Sequence, residues 1–233
     1  GKEQANVANY RQLIEQVQVL HSSHHASSRL DNPLESQLQL ADGTISLGEI
    51  MSPGWRVPNL TDVFLSCCET NLGFAQLSDD PLTLGTGFLC AGARSVVSTL
   101  WSVEDMATAL FSIIYYELRN SDLDRSTALQ QAQRRLRNLS GTELDETYYP
   151  KLHQYLTTRF KQAETNRKQA KQKLEQLNKE TSEYTRMETE KKQWSKVANE
   201  LRRSIQRLEQ ATKQPRPFAH PYYWAGFISQ GLR

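Results

Sequence analysis

The sequence predicts an α/β fold: a sheet covered by helices on both faces, with a long antiparallel helical hairpin set into it. Three observations carry that expectation. Short β-branched apolar runs, such as Ala93–Trp101, alternate with segments of helical periodicity. Residues 151–213 hold no glycine and no proline, and their apolar residues recur every three or four positions. Beyond Pro215 and Pro217 the pattern returns to aromatic and β-branched residues, HPYYWAGFISQGL, which suits one more strand.

Each element follows in order. Ala5, Ala8 and Leu13 share a helical face across residues 4–16, and QVQVLH then alternates as a strand does. Leu38 and Leu40 before Asp42-Gly43, with Ile45 and Leu47 after it, spell a hairpin. Residues 46–51 start a short helix that Pro53 and Gly54 stop. Val63–Leu65 is the next strand, and a Ser/Asp/Pro-rich loop covers 75–82. Residues 83–92 read as a small-residue helix with Cys90 in the core, and Ala93–Trp101 as a central strand. Ser102 with Asp105 three residues on resembles a capping box for a helix over 103–119, and Asp124 opens another to 139. Leu152, Leu156, Phe160 and Ala163, then Trp194, Val197, Leu201, Ile205 and Leu208, mark the two arms of the hairpin, with a bend near 178–186. The last strand begins at His220. The division expected is residues 1–150 with 214–233 as one domain and 151–213 as an insertion.

Composition narrows the class. No apolar run approaches the roughly 18 residues that cross a bilayer, so no membrane partner is expected. Three cysteines, two of them adjacent, make no disulfide framework, which points to a reducing, intracellular compartment. No CxxC spacing exists, so no metal site is expected. The chain opens at Gly1 with a helix, and further strands are expected upstream. Residues 1–150 carry 10 Lys+Arg against 18 Asp+Glu, a balance of −8; residues 151–213 carry 16 against 8, a balance of +8. A basic segment invites nucleic acid. This one lacks the aromatic interleaving of single-strand binders, so a solvated coiled-coil face that contacts protein is expected instead.

The chemistry concentrates at two strand ends. Val63–Leu65 runs into Cys67 and Cys68, and Val17–Leu20 runs into His21, His24 and His25. A thiolate attacks, and a nearby imidazole takes or returns the proton. Spacing alone leaves all six Cys–His pairings open, beside the plain reading of buried thiols and loop histidines.

Five ordered blocks carry a family resemblance: HSSHHA, NPLESQLQLADGTISLGEI, VFLSCCETNLG, GFLCAGARSVVSTLWSVED and HPYYWAGFISQG. Together they resemble the CHAT domain (caspase HetF associated with TPRs), a branch of the caspase-like cysteine peptidases, and are worded closest to cyanobacterial HetF-like members. The resemblance spans residues 1–140 and 218–231. It implies a caspase-like sheet and a cysteine endopeptidase that needs no cofactor. LSCCETN laid on the family's LSACETG puts the nucleophile on Cys68 and an alanine's place on Cys67. For the histidine block, HxAxHG, the catalytic histidine is read on His24, with His21 structural and His25 where glycine is usual. The oxyanion hole then comes from the backbone N–H groups of His25 and Cys68. Asn71 stands for the glycine after CET.

Further expectations follow from the resemblance. Substrate pairs along Thr99–Asp105 as an added strand, and Glu69, Glu104 and Asp105 are candidates to receive a basic residue before the cut. Helix capping by Asp105 and loop support by Glu69 are the plainer alternatives. The partners implied are a protein substrate and either upstream tetratricopeptide repeats of the same polypeptide or a regulatory protein. His220, Tyr222, Tyr223 and Trp224 are expected to pack, and His153 to lie on the hairpin surface. The rival reading is an inactive scaffold whose hairpin binds a protein or nucleic-acid partner.

Overall fold

Five consecutive residues, Ser95–Thr99, are all buried, and this strand (β6) is the middle of the fold. The structure is a computed structural model that describes residues 5–29, 31–66 and 82–232. The main sheet has four strands in the order β1 (Val19–Ser22), β5 (Asp62–Leu65), β6 and β7 (Phe227–Gly231). The first three run parallel and β7 antiparallel. A second, antiparallel sheet joins β2 (His25–Ser27), β3 (Gln37–Gln39) and β4 (Thr44–Ser46). Leu40 N–H donates to the Gly43 carbonyl at 2.8 Å, closing the expected Asp42-Gly43 turn.

Strand alternation sorts the side chains between two faces. Val63, Leu65 and Val96 join one apolar cluster with Tyr10 and Ile14 of α1 (Val7–Ile14), Leu47 and Ile50 of α2 (Leu47–Ile50) and Leu84 and Phe88 of α3 (Leu84–Cys90). Leu38 and Ile45 of the small sheet complete it. Phe64 points the other way, to Phe111, Tyr115 and Tyr116 of α4 (Asp105–Arg119) and to Phe227. Phe111 and Phe227 stack with ring centroids 3.7 Å apart. Helices thus cover both faces, as the sequence predicts.

At the N-terminal end of β5, Asp62 receives two guanidinium groups. Arg119 of α4 donates to Oδ2 at 3.2 Å, and Arg125, which opens α5 (Arg125–Asn138), donates to Oδ1. All three side chains are at least three-quarters buried. Arg125 also donates to the Thr61 carbonyl at 3.3 Å. One carboxylate thereby fixes where both helices cross the sheet.

Several sequence expectations are corrected. Helix α4 starts at Asp105 under Glu104, whose carboxylate accepts the Ala107 N–H at 3.0 Å; Ser102 is no cap, because the chain stays extended through Glu104. Cys90 is exposed, off the buried stripe of Leu84, Gly87 and Phe88. His220 caps a short 3₁₀ turn, Pro221–Tyr223, and the strand waits until Phe227. The free edge proposed for Thr99 is taken: Thr99 pairs with Phe227, and Leu100 N–H donates to Gly226 O at 2.9 Å. On the β7 side an added strand has room only beyond Leu100.

The chain divides into two compact units, residues 1–137 with 218–233, and residues 138–217. The second holds α6 (Gly141–Glu143), a π turn (Leu144–Tyr148), α7 (Tyr149–Leu174) and α8 (Ser182–Ala211). Helices α7 and α8 run antiparallel: His153 faces Glu209 at 4.0 Å, and Phe160 lies under Arg202. Ala163, Ala170, Ala198 and Ala211 are buried, so the seam is narrow. The unit begins earlier than residue 151 because its root is built by Gly141, whose N–H donates to Gln214 O at 3.0 Å. A Cβ on Gly141 would lie 2.3 Å from that carbonyl oxygen. The π turn ends two residues before Pro150, whose ring would crowd the Glu146 carbonyl in a regular helix. His153 stacks on Tyr149 at 4.9 Å, partly exposed. Among the described residues no helix is long and apolar enough to cross a membrane.

Asp62→Ala strands two buried guanidinium groups. It is expected to cost about 3 kcal/mol in urea denaturation; a cost within experimental error would show that the triad does not fasten α4 and α5.

Candidate active site

Two strands that run parallel finish at the same edge. β1 and β5 pair in register, His21 with Phe64 and Ser22 with Leu65, and Ser66 N–H donates to Ser22 O at 3.0 Å. The histidine block and the chain leading to the cysteines therefore leave the sheet side by side. This edge is the carboxyl end of the parallel strands, where open α/β sheets place their sites. Cys67, Cys68, Glu69 and Asn71 lie outside the described residues.

Side chains at this edge form a hydrogen-bonded set. His21 Nε2 lies 3.0 Å from Ser66 Oγ, and Ser66 Oγ also donates to Ser22 O at 3.4 Å. The His21 ring stacks on Phe64 at 5.0 Å and meets Tyr116 at 5.7 Å, with its outer edge open to solvent. Loss of hydration on the packed side lowers its pKa from the ordinary 6.5.

His24 takes the other direction. Its Nδ1 lies 2.9 Å from the buried Ser22 Oγ, and its ring meets the Tyr10 ring of α1 edge-on at 5.8 Å. It is half-buried, and its pKa is lowered first by that burial and then by the charge on His25. His25 opens β2 and is exposed, while Ala26 beside it turns into the apolar cluster. Neither residue needs glycine's freedom: among the described non-glycine residues only Asp122 has a positive φ, at 60°.

The two histidines also differ in the count of the family block. The catalytic role falls on His24 only if HxAxHG is shortened by one residue. Without a gap it covers HSSHHA position for position, so that His21 keeps the first position, Ser23 stands for the alanine, His25 becomes the second histidine and Ala26 stands for the glycine.

Between the strand ends and α4 lies a cleft lined by His21, Ser23, Ser66, Asp105, Thr108, Ala109, Ser112 and Ile113. Asp105 is its one carboxylate among the described residues. The candidate acids thus separate: Asp105 faces the cleft, whereas Glu104 is spent on the helix cap. Among the described residues no group of three or more His, Cys, Asp or Glu is placed to hold a metal ion. Sequence reasoning missed Ser22, Ser66 and Tyr10. Ser66 follows the apolar run Val63–Leu65, and Ser22 follows Val19, Leu20 and His21, a strand-end signal that could have found both; nothing in the sequence marked Tyr10.

With both imidazoles held below their ordinary value, the folded state binds fewer protons than the unfolded one near pH 6. The stability they contribute is full above about pH 6.5 and is lost as pH falls through the lowered folded-state values. His21→Gln keeps a partner for Ser66 and removes one titration. Its melting temperature is expected to fall less than that of the wild type between pH 7.5 and 5; parallel curves would rule His21 out as a source of acid sensitivity.

No curated protein matches the chain. A family model for the CHAT domain matches residues 2–232. With the matched span running from α1 through the strand-end histidines to β7, the chain belongs to the CHAT domain family of caspase-like peptidases.

Proposed function

We propose that this chain is a cysteine endopeptidase domain in which Cys68 is the nucleophile and His25 its proton carrier. The observation behind the reading is the parallel pairing of β1 with β5, which brings Ser66 to Ser22. Only two peptide links separate Ser66 from Cys68, a reach of about 7.6 Å, and three separate Ser22 from His25. His25 is preferred over His24 because the ungapped block selects it and because His24 is already held by Ser22 and Tyr10.

In the reaction the Cys68 thiolate adds to the scissile carbonyl carbon. The backbone N–H groups of Cys68 and of Ala26, the residue after the acting histidine, steady the oxyanion. The protonated His25 gives its proton to the leaving amine as the C–N bond breaks, leaving a thioester. Water then gives a proton to His25 and its hydroxyl to the acyl carbon, and the thiolate departs. No step draws on a cofactor. Asp105 in the cleft favours a basic residue before the cut. The resemblance of the sequence blocks to HetF-like proteins fits a regulatory cleavage, with upstream repeats or a regulatory protein contacting the basic hairpin.

The test is cleavage of a peptide library together with iodoacetamide labelling of single thiols. Cys68→Ala is expected to abolish turnover, and His25→Ala to lower kcat/KM about a thousandfold. His24→Ala is expected to lose about tenfold. The reverse ranking would return the role to His24. A wild type that cleaves nothing and labels all its thiols alike would make the chain a scaffold.

A further inference from the structure

The segment that links β6 to α4 is held from the opposite end of the chain. After Leu100 the chain leaves the sheet, and residues 101–104 carry it to Asp105 at the cleft. Trp101 Nε1 donates to the Tyr222 carbonyl at 3.0 Å. The Tyr222 hydroxyl donates back to the Ser102 carbonyl at 2.7 Å. Gly226 completes the fit: a Cβ there would lie 2.8 Å from the Trp101 indole, so only glycine lets the ring settle against the backbone.

Tyr222 is itself well fixed. The Tyr222 N–H donates to His220 Nδ1 at 3.2 Å, and Ala225 N–H donates to Pro221 O at 2.8 Å. Gln133 of α5 donates from one amide nitrogen to both Trp224 O and Phe227 O, at 3.2 and 2.9 Å. Arg137 lies over the Trp224 ring. A segment anchored this densely, with Tyr222 still 43% exposed, is a poor candidate for mere core filling.

We propose that Tyr222 is a positioning residue for substrate, locking residues 101–102 so that the backbone beyond Leu100 and the Asp105 carboxylate meet a bound peptide in fixed geometry. The proposal rests on the peptidase reading. Because Ser102 O accepts from the Tyr222 hydroxyl, the clamp sets the register in which a substrate strand meets the backbone between Trp101 and Asp105. Among the described residues the contacts of Tyr222 run to Trp101, Ser102, His220 and Tyr223, away from His21, His24 and His25, so it acts on binding and leaves the bond-breaking step alone.

The experiment compares wild type with Tyr222→Phe, which keeps the ring and deletes one hydrogen bond. A fluorogenic peptide with arginine before the cut serves as probe, beside amide hydrogen exchange of residues 101–105 and the rate of Cys68 alkylation. The expected result is a KM about fivefold higher, the equivalent of one neutral hydrogen bond, with kcat and alkylation unchanged and faster exchange across 102–104. Gly226→Ala is expected to give the same pattern more strongly. Unchanged KM with unchanged exchange overturns the proposal, as does a loss confined to kcat. If wild type cleaves no peptide, the peptidase reading fails; exchange that still quickens in Tyr222→Phe then leaves the clamp standing, and exchange that does not removes it too.

Discussion

The parallel pairing of β1 with β5 is the constraint on which the site depends. Antiparallel strands would send their following segments to opposite edges. Parallel ones deliver both to the same edge, however far apart they lie in sequence. Here the pairing sets His21 beside Phe64 and Ser22 beside Leu65, so the chain enters its histidine block and its cysteine block from neighbouring positions. The register is specified by alternation: a slip of one residue would turn Phe64 away from the aromatic layer of α4 and put Leu65 in its place. Core packing and the side-by-side exit of the two blocks are therefore one requirement on the same four residues.

The two ends of the sheet are built differently. The amino end is clenched by charge, with Asp62 gripping Arg119 and Arg125. The carboxyl end is knit by neutral hydrogen bonds among His21, Ser66, Ser22 and His24. Burial lowers the pKa of both imidazoles from its ordinary value. The two guanidinium groups and their carboxylate serve the frame at the amino end, while the cleft at the carboxyl end holds Asp105 as its one carboxylate among the described residues.

Much of the fold was legible in the sequence because it is written in local pattern. Apolar runs gave β1, β5 and β6, Asp42-Gly43 gave the small hairpin, and helical spacing gave α4, α7 and α8. What escaped was decided by partners distant in the chain. Nothing near Ser102 announces that a tyrosine 120 residues away takes its carbonyl, so the capping pattern there misled. Cys90 sits among small residues that promised burial, yet a two-residue rotation from Phe88 turns it outward. The choice between His24 and His25 turns on a single residue of alignment, and only the placement of Ser22 and Tyr10 separates the two in space.

The antiparallel partner of β6 has a consequence for how the molecule comes into being. β7 lies beyond the whole of α6, α7 and α8 in the chain, so the ladder between Thr99 and Phe227 closes a loop of well over a hundred residues. Such closures are slow when the intervening chain is loose. The hairpin folds on local contacts, and the Gly141–Gln214 bond draws its two ends together, so the effective loop shrinks to residues 100–140 and 215–226 before β7 must find its place. Tyr222 and Gly226 arrive with that strand. During synthesis, a chain that has already made its histidine and cysteine blocks still lacks the parts that grip residues 101–102, and it gains them only once the helical arm has formed.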